Sequence, residues 1–143
     1  MSTMTNILLS YSGRDANYRS LLVAATRAAG LPVRFVEVSG VVTDPVSRRA
    51  LCAARLQQCE AAIVLASPHA SRDAAVATDL TAARDHGLPV HAIDVSGTTQ
   101  TIGGSRRRRA AWAVDSTHGW HWPRIAAFLQ RLPQLDRRLA LTG

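Results

Sequence analysis

Of the ten acidic side chains in this 143-residue chain, Asp79 has the least ordinary setting. Its segment, Arg72–His86, has helical periodicity: Val76, Leu80 and Ala83 form an apolar stripe, and Asp79 falls at the border of that stripe rather than opposite it. The residues three and four positions away are Ala75, Val76, Ala82 and Ala83, so no arginine of the same helix can neutralise it. A carboxylate so placed needs a cationic partner from another element, for example from the run Arg106–Arg109, or a ligand that makes use of it. Further polar groups gather where apolar runs end: Ser10-Tyr11-Ser12-Gly13-Arg14-Asp15 after the first, Glu37 in the second, Ser67 and His69 after the third.

Several chemistries are excluded by residues that are missing. All 17 basic residues are arginine, so a phosphate loop that depends on lysine cannot be built. The turn Ser10–Asp15 has one glycine where a dinucleotide-binding turn uses three. A phosphoacceptor receiver domain would end its third strand in aspartate and follow the fifth with lysine, whereas the third apolar run here ends Leu65-Ala66-Ser67. No Gly-x-Ser-x-Gly elbow exposes a serine nucleophile. Cys52 and Cys59 lie about two turns, roughly 10 Å, apart on one expected helix, too far for a disulfide, and read as buried thiols. His118 and His121 have a spacing that suits a metal, but no cysteine or carboxylate cluster accompanies them; no metal is expected, and they read as exposed or helix-capping.

The elements that must hold these groups alternate short apolar runs with longer amphipathic ones, the pattern of a parallel sheet covered by helices on both faces. Ile7–Leu9, Val33–Val38, Ala61–Ala66 and Pro89–Val95 read as strands, with Arg109–Val114 as a fifth, edge strand. Helices are expected from Asp15, as cap, to Ala28 with Gly30 as the stop, from Asp44-Pro45 to Cys59, over Arg72–His86 with Gly87 as the stop, and over Trp122–Leu132. Ser96–Ser105 is a loop rich in Gly, Thr and Ser, and Leu139–Gly143 a frayed tail. The expected fold is therefore α/β, a parallel sheet of about five strands with helices on both faces, forming one domain over residues 1–143. Trp112, Trp120 and Trp122 read as core anchors under the last helix.

Four of the +7 net charges lie in Arg106–Arg109, a run that reads as a solvated loop beside an edge strand, a phosphate contact or a self-association surface. No aromatic alternates with these arginines, so nucleic acid is not an expected partner. No apolar run approaches the roughly 20 residues that cross a membrane, and no basic-then-apolar leader opens the sequence, so a cytoplasmic protein without membrane contact is expected.

Four stretches, taken in succession, resemble the Toll/interleukin-1-receptor (TIR) domain family and its compact bacterial TIR-like branch. They are Ile7-Leu8-Leu9-Ser10-Tyr11-Ser12-Gly13-Arg14-Asp15, Val33-Arg34-Phe35-Val36-Glu37, Ala62-Ile63-Val64-Leu65-Ala66-Ser67, and Ser71 through Asp79 continuing to Gly87-Leu88-Pro89-Val90. The resemblance spans about residues 5–95. It implies a flavodoxin-like sheet with strands in the order 2-1-3-4-5 and, as in many members, cleavage of the bond between nicotinamide and ribose in NAD. The family's catalytic glutamate lies on the third helix, four residues after a tryptophan; the matching positions here are Asp79, one methylene shorter, and Ala75, which lacks the aromatic ring.

On that resemblance Asp79 is the catalytic carboxylate. Ser10, Tyr11 and Ser12 line the loop beneath the ribose, Arg14 is available for a phosphate, Glu37 binds a hydroxyl, and Ser67 and His69 stand at the ligand end. From the residues alone, Tyr11 also reads as packing at a strand end, Arg14 as paired with Asp15, and Ser67 and His69 as turn formers. NAD enters as substrate, with no cofactor. Nicotinamide departs neutral from a pyridinium, so it needs no proton, and one carboxylate can stabilise the cation growing on the ribose. Hydrolysis, cyclisation and transfer differ only in which nucleophile captures that cation. A signalling nucleotide in bacterial defence and a homo-oligomeric enzyme are what the resemblance implies. Two alternatives stay open: a nucleoside or nucleotide N-glycosidase, and a catalytically silent TIR-like interaction module, which the residues at 75 and 79 favour.

Overall fold

Short apolar runs rich in Ile, Leu and Val become parallel strands in the computed structural model, which describes residues 4–38, 44–96 and 114–142, with side chains through residue 132. The order is β1 (Thr5–Ser10), a 3-10 turn (Gly13–Asp15), α1 (Ala16–Ala28), β2 (Val33–Val36), α2 (Pro45–Leu56), β3 (Ala61–Ala66), α3 (Pro68–Ser71), α4 (Ala74–Asp85), β4 (Val90–Asp94), β5 (Ser116–Gly119) and α5 (Trp122–Thr142). The five strands form one parallel sheet in the order β2-β1-β3-β4-β5, the flavodoxin-like arrangement expected. All six residues of β3 are buried because it lies at the centre with a layer on each face, so its sequence is continuously apolar rather than alternating.

The two-residue period of the strands divides the core in two. Ile7, Leu9, Ile63, Leu65 and Ile93 pack with Leu22 of α1 and with Ile125, Phe128, Leu129 and Leu132 of α5. Leu8, Ala62, Val64, Ala66 and Ala92 turn the other way, onto Cys52 and Leu56 of α2 and Val76, Leu80 and Ala83 of α4. Asp44 starts α2 as expected, its carboxylate accepting the Ser47 N–H at 2.9 Å with Pro45 in the first turn. Both cysteines are buried free thiols.

Four local expectations need correction. Asp15 precedes α1 but makes no side-chain cap bond there, because its carboxylate is engaged by β3's loop instead. α2 ends at Leu56, short of Cys59. The helix expected over Arg72–His86 stands as α4, which Asp73 caps through the Ala75 N–H, and a separate one-turn helix, α3, precedes it, capped by Ser67 through the Ala70 N–H. The fifth strand is Ser116–Gly119 rather than Arg109–Val114, of which residues 109–113 lie outside the described residues. Polar residues serve as this edge because they are held specifically: the Asp115 carboxylate accepts the Val90 N–H at 2.7 Å, and Ser116 Oγ bridges His91 Nδ1 at 2.7 Å and His118 Nε2 at 2.9 Å. The last helix also runs to Thr142, through the expected tail. Trp120 and Trp122 pack half-buried against the core, Trp120 edge-on to Tyr18 at 5.3 Å, while Trp112 and Arg106–Arg109 lie outside the described residues.

Candidate ligand site at the carboxyl edge of the sheet

β1 and β3 are neighbours, but the chain leaves β1 toward α1 on one face and β3 toward α4 on the other. Their outgoing loops therefore diverge and leave a crevice, the place where open α/β sheets take their ligands. The polar groups singled out in the sequence sort into four separate arrangements.

The first contains Asp79, 2% exposed on the inner side of α4. Arg48, 8% exposed in the first turns of α2, grips it with a guanidinium fork, Nε to Oδ1 at 3.1 Å and Nη2 to Oδ2 at 2.9 Å. Ser10 Oγ, at the end of β1, donates to Oδ2 at 2.9 Å. The partner expected from another element thus exists, but it comes from α2. Cys52 lies one turn beyond Arg48, and its thiol is pushed up to about 12, first by burial and then by the neighbouring Asp79 carboxylate.

The second arrangement joins β1's loop to β2. Tyr11 donates its hydroxyl to Glu37 Oε1 at 2.7 Å, and Arg19 of α1 closes on the same carboxylate with Nη2 2.6 Å from Oε2. Burial opposes the Glu37 charge, but the hydrogen bonds from Arg19 and Tyr11 outweigh it and hold the carboxyl below its usual value. Burial, and then Glu37, raises the Tyr11 phenol. In the third, Ser67 Oγ donates to Asp15 Oδ2 at 2.5 Å and accepts the Ala70 N–H at 3.0 Å, tying the two diverging loops together. Ser12 sits beside this link, accepting the Arg14 N–H at 3.4 Å and so capping the 3-10 turn.

The fourth arrangement opens to solvent between the two diverging loops. Arg14 from β1's loop meets His69, Arg72, Asp73 and Ala74 from β3's loop around a cleft of about 440 Å³. Arg14, His69 and Arg72 are all exposed, and among the described residues neither arginine pairs with a carboxylate. The first turn of α4 adds backbone N–H groups at the rim, partly satisfied by Asp73. Two guanidiniums and an imidazole against one carboxylate give the cleft a predominantly basic lining, and guanidinium forks are the groups whose geometry matches phosphate.

Of the residues chosen from sequence, Arg14 and His69 thus share a cleft. Ser10 and Asp79 share a buried cluster, Tyr11 and Glu37 bind one another, and Ser12 and Ser67 shape the loops. Sequence reasoning missed Arg48, Arg72 and Asp15's role. Arg48 had a signal: it stands in phase with Cys52 and Leu56 on the buried stripe of α2.

No protein-family model and no curated protein matches this sequence. Among solved structures, the chain is similar to a diflavin flavoprotein A3 from Nostoc sp., at 14% identity over 97% of this chain and 96% of that one, with a TM-score of 0.49. It is also similar to a 3-dehydroquinate dehydratase-like protein from Bifidobacterium longum, at 12% identity over 95% and 98% of the two chains, with a TM-score of 0.48.

Proposed function

We propose that this chain is a TIR-like module that binds a nucleotide-class ligand through its phosphates at the β1–β3 crevice and leaves the N-ribosyl bond intact. The observation that carries this reading is the guanidinium of Arg48 on Asp79, 2.9 Å away and buried with it. A carboxylate that stabilises a ribosyl cation must present uncompensated negative charge to the ligand. Here that charge is spent on Arg48, and the Ser10 hydroxyl occupies Oδ2 as well. Opening the pair to admit a ribose would break a buried ion pair, a cost of several kcal/mol before any chemistry begins. The Arg14–His69–Arg72 cleft carries no such lock and supports recognition of phosphate.

The test is incubation of the protein with NAD and with common nucleotides, followed by chromatography of the products and calorimetry of binding. NAD should survive intact, and pyrophosphate should bind in a manner weakened by Arg14→Ala and Arg72→Ala. Release of nicotinamide that a folded Asp79→Asn variant abolishes would instead establish the NAD-cleaving enzyme, and release of a free purine or pyrimidine the nucleoside N-glycosidase. The cytoplasmic, homo-oligomeric setting implied by the TIR resemblance goes with the binding reading, and a sizing column reads the oligomer directly. Among the described residues no helix is long and apolar enough to cross a membrane.

A further inference from the structure

The far edge of the sheet offers a second recognition surface, independent of the crevice. Among the described residues β2 pairs with β1 alone. In a parallel ladder, alternate residues turn both their N–H and their C=O toward the neighbouring strand. The Pro32 carbonyl accepts the Thr5 N–H at 2.8 Å, so Arg34 and Val36 also face β1. The carbonyl of Val33 and both backbone groups of Phe35 therefore point outward, while the Val33 N–H is occupied by the Leu31 carbonyl at 2.8 Å.

Between this edge and α1 runs a groove of about 440 Å³. Its floor includes Val33, the half-buried Phe35 and Val23, and its lining includes three guanidiniums, Arg19, Arg27 and Arg34, against the single carboxylate of Glu37. Arg19 is held by Glu37, whereas Arg27 and Arg34 are exposed and, among the described residues, pair with no carboxylate. A free strand edge, an apolar floor and an unbalanced positive rim together specify an occupant: an extended segment whose apolar side chains alternate with acidic ones. A second copy is disfavoured, since each chain carries +7.

We propose that the β2–α1 groove docks an extended acidic peptide segment of a partner protein as an additional strand beside β2. Backbone hydrogen bonds to Val33 and Phe35 supply the register, Val23, Val33 and Phe35 receive the apolar side chains, and Arg27 and Arg34 receive the carboxylates.

A short synthetic peptide alternating valine and glutamate, capped at both ends, is the probe, titrated into the whole chain and followed by amide NMR and hydrogen exchange. The expected result is protection of the Phe35 amide, shifts confined to β2 and α1, and roughly tenfold weaker binding in the Arg27→Glu/Arg34→Glu variant, whose amide spectrum elsewhere stays unchanged. Any of three results overturns the proposal: no change at Phe35, equal binding of a matched control peptide alternating valine and lysine, or protection of Phe35 that rises with protein concentration alone and so assigns the groove to a second copy.

Discussion

The Arg48–Asp79 pair makes opposite demands on single and double substitution. Arg48→Ala or Asp79→Ala leaves one buried charge without its partner, and either should lower unfolding free energy by about 3–5 kcal/mol in urea titrations. Arg48→Met combined with Asp79→Leu should recover most of that loss, because two apolar side chains of similar size suit a layer already formed by Cys52, Leu56, Val76 and Leu80. The two thiols give a second outcome: Cys52, pushed up to about 12, and Cys59, pushed up to about 11 mainly by burial, should resist a disulfide-exchange reagent at neutral pH until denaturant exposes them. At this scale the sequence was half legible. The position of Asp79 on its stripe announced either a partner or a ligand, and Arg48 on the stripe of α2 is the complementary announcement, but only the packing of α2 on α4 brings the two together. Asp15 was illegible because an aspartate before a helix normally caps it, and nothing local reveals that Ser67, 52 residues away, competes for the carboxylate.

Among the elements, β5 should be the one most sensitive to acid. His91 is held neutral first by burial, with His118 acting in the same direction and Asp115 opposing, and His118 is likewise depressed by burial and then by Arg131. Both rings meet Ser116 Oγ and lie against Phe128 of α5, His118 at 4.0 Å and His91 at 4.9 Å between centroids. Since each folded-state pKa lies below its unfolded value, the unfolded chain binds more protons as pH falls. The contribution is complete above about pH 6.5 and is lost as the pH drops through the lower folded values. Urea midpoints should fall over that window, amides of β5 should lose exchange protection before those of β3, and His91→Gln should flatten the slope. The helix ends make a separate case. Gly30 and Gly87 sit at φ 65° and 80° with open space where a Cβ would go, so alanine at either should cost about 1 kcal/mol through the backbone alone. Those glycines, and the long apolar strands, were readable because their physics is local. β5 was not, since four residues, Ser-Thr-His-Gly, become a strand only through partners on β4.

For the whole molecule, the parallel sheet with helices on both faces followed from the alternation of strands and helices, the flavodoxin-like order from the resemblance, and the crevice between β1 and β3 from that order. Which polar groups would remain open there did not follow, because that depends on how three hydrogen-bonded networks consume their members. Phosphate recognition by exposed arginines at that edge should be strongly screened: pyrophosphate affinity measured by calorimetry should drop as ionic strength rises from about 0.01 M to about 0.15 M, where the Debye length shrinks from about 30 Å to about 8 Å. The clamp between α2 and α4 also leaves a mark on descent. An ancestor or cousin of this chain whose acid at position 79 works on a ligand must carry something other than a guanidinium at position 48, and neither site can drift far without the other. Inheritance at two helix positions thus becomes a readable record of whether the acid of a lineage is free or clamped.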